Sequence, residues 1–404
     1  MRILFVSPRQ CWPPIGGAKL REYHLVRILG RYSAITHVSF RQAGLPPVTA
    51  ADLPFCERVI ALPPLDRYTP LKLARGILGS WPLPVINYTA GSMQSALAAL
   101  LRQERFDLLH LDGAHLAGYE PMLRRASNAP VVYDWHNIES EVMRRYRSSA
   151  PRRINANLTT RRMVRLEERI LCSGFGHLVC SERERSELLR VAPGARVAVI
   201  PNGVDTGFFE AAAPAADRRH RIVFTGLMGY HANVEAAVAF ARAVWPRIRA
   251  RFPEWRLTLV GADPAPGVLA LRAEPNVEIT GTVPDVRPYY REAVAAIVPL
   301  RTGGGTRLKI LEAMAAGVPV VSTSLGAEGL DVNPGADILI ADRDEHWLPH
   351  LEALATRPEF RDRLVSAAHG MVRVRYDWEV LGAALWNTYR SWLDAPASLS
   401  RPLE

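Results

Sequence analysis

Short apolar runs alternate with amphipathic stretches along the first half of the chain. Six of these runs predict buried parallel strands: MRILFVS, AITHVSF, FDLLHLD, PVVYDWH, GHLVCS and RVAVIPN. Between them, a helical periodicity of apolar positions predicts helices, among them residues 20–29, 92–102 and 160–171. A chain that alternates strands and helices in this way is expected to form a doubly wound α/β domain around a parallel sheet.

The alternation pauses at residues 202–218, NGVDTGFFEAAAPAADR, where Gly, Ala and Pro predict a linker. A second series of strands follows: RIVFTG, WRLTLVG, NVEIT, AVAAIVP, VPVVST and ADILIA, with helices over residues 233–251, 286–293, 308–316 and 346–354. We therefore predict two Rossmann-like domains, residues 1–205 and 206–376, and a C-terminal helix within 377–404 that crosses back to the first domain. The two domains are expected to face each other across a cleft that receives ligands at the carboxyl ends of the strands.

Residues 299–323, PLRTGGGTRLKILEAMAAGVPVVST, join a glycine-rich turn to the start of a helix. Backbone N–H groups and the positive end of the helix dipole make such a turn an anion site, by preference for phosphate. Arg307 and Lys309 add full positive charge, and Glu312, on the same helical face as Lys309, suits a ribose hydroxyl. A plain loop with a helix cap is the open alternative. The candidate residues for binding a nucleotide diphosphate in this segment are Gly304, Gly305, Thr306, Arg307, Lys309 and Glu312.

Two further candidate sites follow predicted strands of the first domain. Gly16 and Gly17, which come after the first strand, are candidate donor-binding residues because they permit a close backbone approach to a ligand, although a simple β–α turn would also explain them. His136, Asn137 and Glu139 cluster at the end of a central strand, where polar side chains are expected to point at the cleft. These three residues are candidates for contacting a sugar or an acceptor, against the alternative of a structural histidine.

Two loops of the second domain have open interpretations. The segment GLMGYHANVEAA, with Gly226, Gly229, His231 and Asn233, is either a ligand loop or a plain β–α turn. Asp342-Arg343-Asp344 resembles a metal-holding DxD motif, but its late position beside other acids favours a solvated loop. We therefore expect no metal and no cofactor.

The charge distribution limits the classes of binding partner that we expect. The net charge is +10, and residues 141–169 hold nine arginines against three acids. Arg162, Arg165 and Arg169 share a helical face that suits an anionic membrane surface, with a solvated arginine-rich helix as the alternative. The sequence has no zinc finger and no RNP aromatics, so no nucleic-acid partner is expected.

The localisation follows from the cysteines and the hydropathy. Four cysteines without CxxC or zinc spacing predict reduced thiols in a cytoplasmic protein. The N-terminus is typical of a first strand rather than a signal peptide, and no stretch approaches the roughly 18 apolar residues of a membrane span. The expected protein is cytoplasmic, with peripheral attachment to the inner face of the membrane.

Taken together, these segments resemble the family 4 retaining glycosyltransferases of the GT-B fold. The matching pieces are the Gly16-Gly17 loop, the strand-end His136, the hinge PNGVD at residues 201–205 and the stretch KILEAMAAG at 309–317. The resemblance covers nearly the whole chain and is greatest for a subgroup of exopolysaccharide-pathway transferases. It implies a hexosyltransferase that takes a UDP- or GDP-linked sugar, needs no metal, retains the anomeric configuration, and acts on a glycan or lipid-linked acceptor.

The chain departs from the family pattern in two places. Gly304 stands where the family often has the first of two glutamates, and the loop GLMGYHAN lacks the usual Arg and Lys. The resemblance and the charge together make His136, Arg307 and Lys309 the candidate catalytic residues, because the two cations and the helix start can stabilise a leaving diphosphate. A Rossmann dehydrogenase, a two-lobed sugar-binding protein and an inactive GT-B partner subunit are the alternatives considered.

Overall fold

The chain folds into two compact units, each with one parallel sheet. The computed structural model describes residues 1–146, 153–210, 220–303 and 308–394. One unit comprises Met1–Pro201 with Gly382–Glu404, and the other comprises Asn202–Leu381. Two Rossmann-like sheets were predicted from the alternation of strands and helices, and the structure confirms them.

The sheet of the first unit has seven parallel strands. They are β1 Arg2–Ser7, β2 Ala34–Phe40, β3 Arg58–Leu62, β4 Leu108–Asp112, β5 Val131–Trp135, β6 Gly176–Val179 and β7 Val197–Val199. Their order is β3-β2-β1-β4-β5-β6-β7, so the direction of winding reverses between β1 and β4. Ligands of open α/β sheets bind at the carboxyl ends of the strands beside such a reversal.

The helices of the first unit cover this sheet, and their apolar side chains form its core. They are α1 Gly17–Leu29, α2 Pro70–Leu78, α3 Leu83–Tyr88, α4 Gly91–Gln103, α5 Glu120–Ala126, α6 Glu139–Tyr146, α7 Arg153–Ser173 and α8 Glu182–Val191. The predicted helices at 20–29, 92–102 and 160–171 correspond to α1, α4 and α7.

The sheet of the second unit has six parallel strands in the order β10-β9-β8-β11-β12-β13. They are β8 Arg221–Thr225, β9 Arg256–Val260, β10 Val277–Gly281, β11 Ala293–Val298, β12 Val320–Ser322 and β13 Leu339–Ile340. The helices are α9 Thr206–Glu210, α10 His231–Ala243, α11 Trp245–Arg251, α12 Pro266–Leu269, α13 Arg287–Arg291, α14 Leu308–Ala315, α15 Asp344–Thr356, α16 Pro358–Arg375 and α17 Trp378–Asp394. The winding reverses between β8 and β11, and the chain returns to the first unit within α17.

The structure differs from the predicted elements in several places, of which three are informative. The single helix predicted over residues 233–251 is two helices, α10 and α11, because Pro246 lies in the first turn of α11 and cannot continue a preceding helix. Strand β3 was not predicted, although RVIAL is an apolar run; in the structure its residues are only partly buried. Helix α16 was missed because Leu364, Ala368 and Val372 give it only a narrow apolar stripe.

Candidate functional site

The turn after β1 presents the start of α1 to a ligand. Gly16 is the N-cap of this helix and has φ 94°, a left-handed conformation that favours glycine. No side chain in the described part of the chain caps this helix, and a Cβ built on Gly16 would have no heavy atom within 4 Å. The first N–H groups of α1, beginning at Gly17, therefore have the polarity and the room that an anionic group needs.

Polar side chains meet at the ends of the three neighbouring strands β1, β4 and β5. Asp112 is the last residue of β4, and His136 directly follows β5. The Nε2 atom of His136 lies 2.7 Å from Oδ1 of Asp112. Arg9, which follows β1, places its Nη2 atom 3.8 Å from Oδ2 of Asp112. Because these strands are adjacent in the sheet, the fold itself brings an acid, an imidazole and a guanidinium together.

This cluster favours the charged forms of both Asp112 and His136. Burial alone would raise the pKa of Asp112, but the charge and hydrogen bond of His136 and the charge of Arg9 hold it well below its usual range. Burial alone would lower the pKa of His136, but the charge and hydrogen bond of Asp112 raise it above 6.5. The side chain of His136 is 13% exposed, so it can reach a ligand while it is paired with Asp112.

The other two predicted residues of this strand end lie next to His136 in the chain. Asn137 and Glu139 are both partly buried, and Glu139 begins α6. Burial raises the pKa of Glu139, while the charges of His136 and Arg9 oppose that shift. Glu139 thus lies three residues after His136, at the start of the helix that follows β5.

A buried ion pair fixes α1 to the strand that carries His136. The Nε and Nη2 atoms of Arg21 each lie 2.9 Å from an oxygen of Asp134, and both side chains are fully buried. The Nη1 atom of Arg21 also donates to the carbonyl of Ile200, at 2.7 Å. These hydrogen bonds of the Arg21 guanidinium, called here the Arg21 fork, connect the helix that starts at Gly17 with β5 and with the chain after β7.

In the second unit, Lys309 reaches the turn after β8. Its Nζ atom donates to Oδ1 of Asn233 at 2.8 Å and lies 4.3 Å from the ring centroid of Phe224. Gly226 has φ 145°, and a Cβ there would be only 2.7 Å from Nζ of Lys309. The Nδ2 atom of Asn233 donates to the carbonyl of Leu227 at 2.8 Å, so Asn233 holds both the turn and the lysine. The turn itself contains no lysine or arginine, and Lys309 of α14 brings a positive charge to it.

Glu312 lies one turn further along α14. It is partly buried, and the hydroxyl of Tyr290 is 3.4 Å from its Oε2 atom. That hydroxyl also lies 2.9 Å from Oγ1 of Thr225, at the end of β8. Burial raises the pKa of Glu312, and the charge of Lys309 and the Tyr290 hydrogen bond oppose the shift. The structure thus places Lys309 and Glu312 beside β8, next to the winding reversal of this sheet.

Four predicted donor-site residues, Gly304, Gly305, Thr306 and Arg307, lie outside the described residues. Gly303, just before them, has φ 106°, a left-handed conformation. The Asp342-Arg343-Asp344 segment has acids that already have partners: Asp342 accepts hydrogen bonds from the N and Oγ of Ser324, both at 2.7 Å, and Asp344 pairs with Arg301.

Sequence reasoning missed Arg9, Asp112 and Tyr290. Asp112 closes a predicted strand, and the rule that selected His136, a polar residue at a strand end beside the reversal, would also have selected Asp112. Arg9 follows the first strand in the same way. No sequence signal distinguishes Tyr290 from an ordinary core aromatic residue, because its role depends on contacts from β8 and α14.

Two clusters of buried side chains in the described part of the chain have metal-ligand atoms within 4.8 Å of one another: Cys11, Glu22 and His37, and His110, Asp112 and Asp134. In the second cluster each residue is already engaged: His110 with Tyr389, Asp112 with His136 and Asp134 with Arg21. All four cysteines are free thiols. Among the helices that the structure describes, none has the length and apolar character that a membrane crossing requires.

Comparison with known proteins gives matches in both halves of the chain. A model of Glycosyltransferase Family 4 matches residues 58–208, and one of Glycosyl transferases group 1 matches residues 219–356. A phosphatidyl-myo-inositol mannosyltransferase of Mycobacterium tuberculosis is 25% identical over 71% of this chain and 74% of its own length. A D-inositol 3-phosphate glycosyltransferase of Thermobispora bispora is 27% identical over 75% and 76%.

Solved structures confirm the GT-B fold. Sucrose-phosphate synthase from Thermosynechococcus elongatus superposes with a TM-score of 0.72 at 19% identity, covering 98% of this chain and all of that one. Anabaena HepE, solved with UDP, superposes with a TM-score of 0.65 at 15% identity, covering 97% of this chain and all of its own. The chain therefore has a family 4 glycosyltransferase domain in its first half and a group 1 glycosyltransferase domain in its second.

Proposed function

We propose that this protein transfers a sugar from a UDP- or GDP-linked donor to a glycan or lipid-linked acceptor, with retention of configuration and without a metal. The observation that carries the proposal is the position of Lys309, whose ammonium lies at the Gly226 turn beside the winding reversal of the second sheet. A cation at a glycine turn and a strand end suits a diphosphate. HepE, a structural neighbour, was solved with UDP-glucose, which supports a nucleotide sugar as the donor class.

The nucleotide is assigned to the second domain. Lys309, together with Arg307 and the start of α14, neutralises the diphosphate, and Glu312 binds a ribose hydroxyl. The raised pKa of Glu312 reflects burial, which a hydrogen-bonding ribose would compensate. Tyr290 orients Glu312 through its hydroxyl.

The chemical demand is stabilisation of the leaving group. Breaking the bond between the anomeric carbon and the phosphate oxygen leaves positive charge on the sugar and negative charge on the diphosphate. Fixed cations aimed at that oxygen lower the barrier because their positions are set before the reaction. Retention follows if the departing phosphate accepts the acceptor proton on the face that it leaves, so that the new bond forms on that face.

The acceptor side is assigned to the first domain. Asp112 holds His136 as an imidazolium, which donates a hydrogen bond to a sugar or phosphate oxygen, with Asn137 and Glu139 as further contacts. Gly16 and Gly17 let an anionic group approach the start of α1. The name of the phosphatidyl-myo-inositol mannosyltransferase supports a lipid-linked acceptor. We place the reaction in cell-surface polysaccharide synthesis in the cytoplasm, with the arginines of residues 144–169 holding the enzyme at an anionic membrane.

A donor panel tests the proposal. The protein is incubated with UDP- and GDP-linked hexoses and candidate acceptors, and released nucleotide is measured, with and without EDTA. We expect turnover with one nucleotide class, unchanged by EDTA. If none of the donors gives nucleotide release, that result would contradict the enzyme assignment and favour an inactive partner subunit. Loss of turnover in the presence of EDTA, and its recovery when manganese is added, would contradict metal independence.

A further inference from the structure

Helix α2 presents its apolar face to solvent rather than to the protein. In its sequence, PLKLARGIL, Leu71 is 62% exposed, Ile77 is 54% exposed and Leu78 is 86% exposed, whereas Gly76 is buried. At 100° per residue, Leu71, Ala74 and Leu78 share one face, and Ile77 borders it. The small glycine therefore faces the fold and the large aliphatic side chains face outward, which is the reverse of an ordinary surface helix.

Several contacts hold α2 in this orientation. The side chain of Thr69 caps its start by accepting from the N–H of Lys72. The Nζ atom of Lys72 donates to the carbonyls of Asp66 at 2.6 Å and Asn87 at 3.1 Å. A Cβ on Gly76 would lie 2.9 Å from Cδ1 of Leu83, so the inward face is closely packed. The outward apolar face is thus a fixed feature of the first domain.

Arginines of α7 border this face. Arg162 donates from Nη1 to the carbonyl of Gly76 at 2.5 Å and from Nη2 to that of Ile77 at 3.1 Å. Seven residues on, Arg169 lies 5.6 Å from the ring centroid of Trp81, just beyond α2. Arg165 lies between them on the same face of α7 and is exposed. Apolar side chains beside a row of cations suit an anionic lipid surface, which takes up both groups.

We propose that α2 inserts Leu71, Ile77 and Leu78 into the boundary between headgroups and acyl chains of an anionic bilayer, with the α7 arginines over the headgroups. The proposal rests on the proposed function in that it places the enzyme at a membrane, and it adds the inserting element. Charge alone would hold the protein above the headgroups, whereas insertion fixes which face of the first domain lies against the lipid.

An environment-sensitive label tests insertion directly. Leu78→Cys is labelled with NBD in a Cys172→Ser background, because the other three cysteines are buried. Val374→Cys, at a position that is 70% exposed on α16, is the matched control. With vesicles of phosphatidylglycerol and phosphatidylcholine we expect a blue shift and protection from aqueous quencher at position 78 only. Vesicle binding with no change at position 78 would overturn the insertion and leave the arginine contribution standing.

Binding measurements give a second test. Leu71→Ser/Ile77→Ser/Leu78→Ser should sediment with anionic vesicles at least about tenfold more weakly than wild type, since insertion of aliphatic groups supplies much of such binding. Val374→Ser should bind as wild type does. Equal binding by both, no binding by the wild type, or a wild-type dimer that the triple variant loses, would each overturn the proposal. Nucleotide release with a water-soluble acceptor should be unchanged in the triple variant. This assay tests the proposed transferase activity separately from membrane insertion, so that one proposal can fail without the other.

Discussion

At the residue scale, Lys309 supplies the positive charge that the turn after β8 lacks in its own sequence. The turn GLMGYHAN has no lysine or arginine, although the related transferases that it resembles usually have both in this loop. In the structure Lys309 comes from α14 and lies against Gly226, held by Asn233 and the ring of Phe224. A cation fixed by an amide and an aromatic face keeps its position before any ligand arrives, which is what leaving-group stabilisation needs.

Replacing Lys309 with Ala should therefore reduce turnover more than donor binding. Leaving-group charge grows in the transition state, so loss of one such contact is expected to cost about 10²–10³ in kcat. Steady-state kinetics at saturating donor measure this effect, and a separate nucleotide-binding titration measures the ground state. Arg272→Ala, which removes an exposed cation elsewhere in the same domain, is the control and should leave kcat unchanged. A kcat of Lys309→Ala within a few-fold of wild type would mean that the diphosphate lies elsewhere.

Asp112→Asn should lower the pKa of His136. The carboxylate raises that pKa above 6.5 in the wild type, against the opposing effect of burial, and an amide cannot supply the charge. If the imidazolium is the working form, the alkaline limb of the kcat/KM profile should move to lower pH. Histidine NMR titration measures the pKa itself.

The same pair makes a prediction about stability. Because the folded-state pKa of His136 is raised, its pairing with Asp112 stabilises the fold below the unfolded-state pKa of about 6.5. This contribution is lost as pH rises through the folded-state pKa. The stability advantage of wild type over Asp112→Asn should shrink over that range, as measured by urea unfolding. A constant difference across pH would show that Asp112 does not govern the protonation of His136.

The sequence identified His136 but not the residues that set its charge. His136, Asn137 and Glu139 were found because they follow an apolar run, and the fold explains why this rule works at a strand end. The pairing with Asp112 depends on β4 and β5 being neighbours in the sheet, which no local pattern shows. The same holds for Arg9, whose strand lies beside β4.

At the element scale, the position of α1 depends on one buried charge pair. Arg21 bridges α1, β5 and the chain after β7, and both it and Asp134 are fully buried. Removing one partner leaves the other charge buried and unpaired. Arg21→Ala should therefore lower the free energy of unfolding of the first domain by about 3–5 kcal/mol.

A surface ion pair of the same domain is the matched control for Arg21. Arg58 lies 2.9 Å from Glu104, and its side chain is 46% exposed. Arg58→Ala should cost about 0–1 kcal/mol, because water screens the charge that remains. Thermal and urea unfolding followed by circular dichroism compare the two variants. Similar small losses for both would show that the Arg21 fork does not hold α1 in place.

Patterns predicted strands better than helix ends. Every strand predicted from an apolar run is present, because both faces of a parallel sheet are buried and such strands are apolar throughout. Strand β3 lies at the edge of its sheet and was not predicted, although its sequence RVIAL is as apolar as the runs that were recognised. The break between α10 and α11 was missed although Pro246 marks it, since the apolar periodicity runs on across the proline.

At the scale of the whole molecule, the first unit is built from two distant parts of the chain. Gly382–Glu404 belongs to it although the whole second unit intervenes. The hydroxyl of Tyr389 lies 2.5 Å from Nδ1 of His110 in β4, and both residues are fully buried. Gly382 packs against Ile28 of α1, where an added Cβ would lie 2.3 Å from Cγ2. The last helix thus completes the core that supports the strand carrying Asp112.

Truncation before Gly382 should consequently destabilise the first domain far more than the small number of removed residues suggests. The loss would expose Ile28 and leave His110 without its hydroxyl partner, and unsatisfied buried groups cost about 1–3 kcal/mol each. Exposed apolar surface adds to that cost and promotes aggregation. A chain that ends at Asp394 keeps every described residue of α17 and should unfold at the wild-type temperature. Expression yield and differential scanning fluorimetry compare the two truncations. If the shorter chain stays soluble and keeps the wild-type melting temperature, α17 is not part of the core of the first domain.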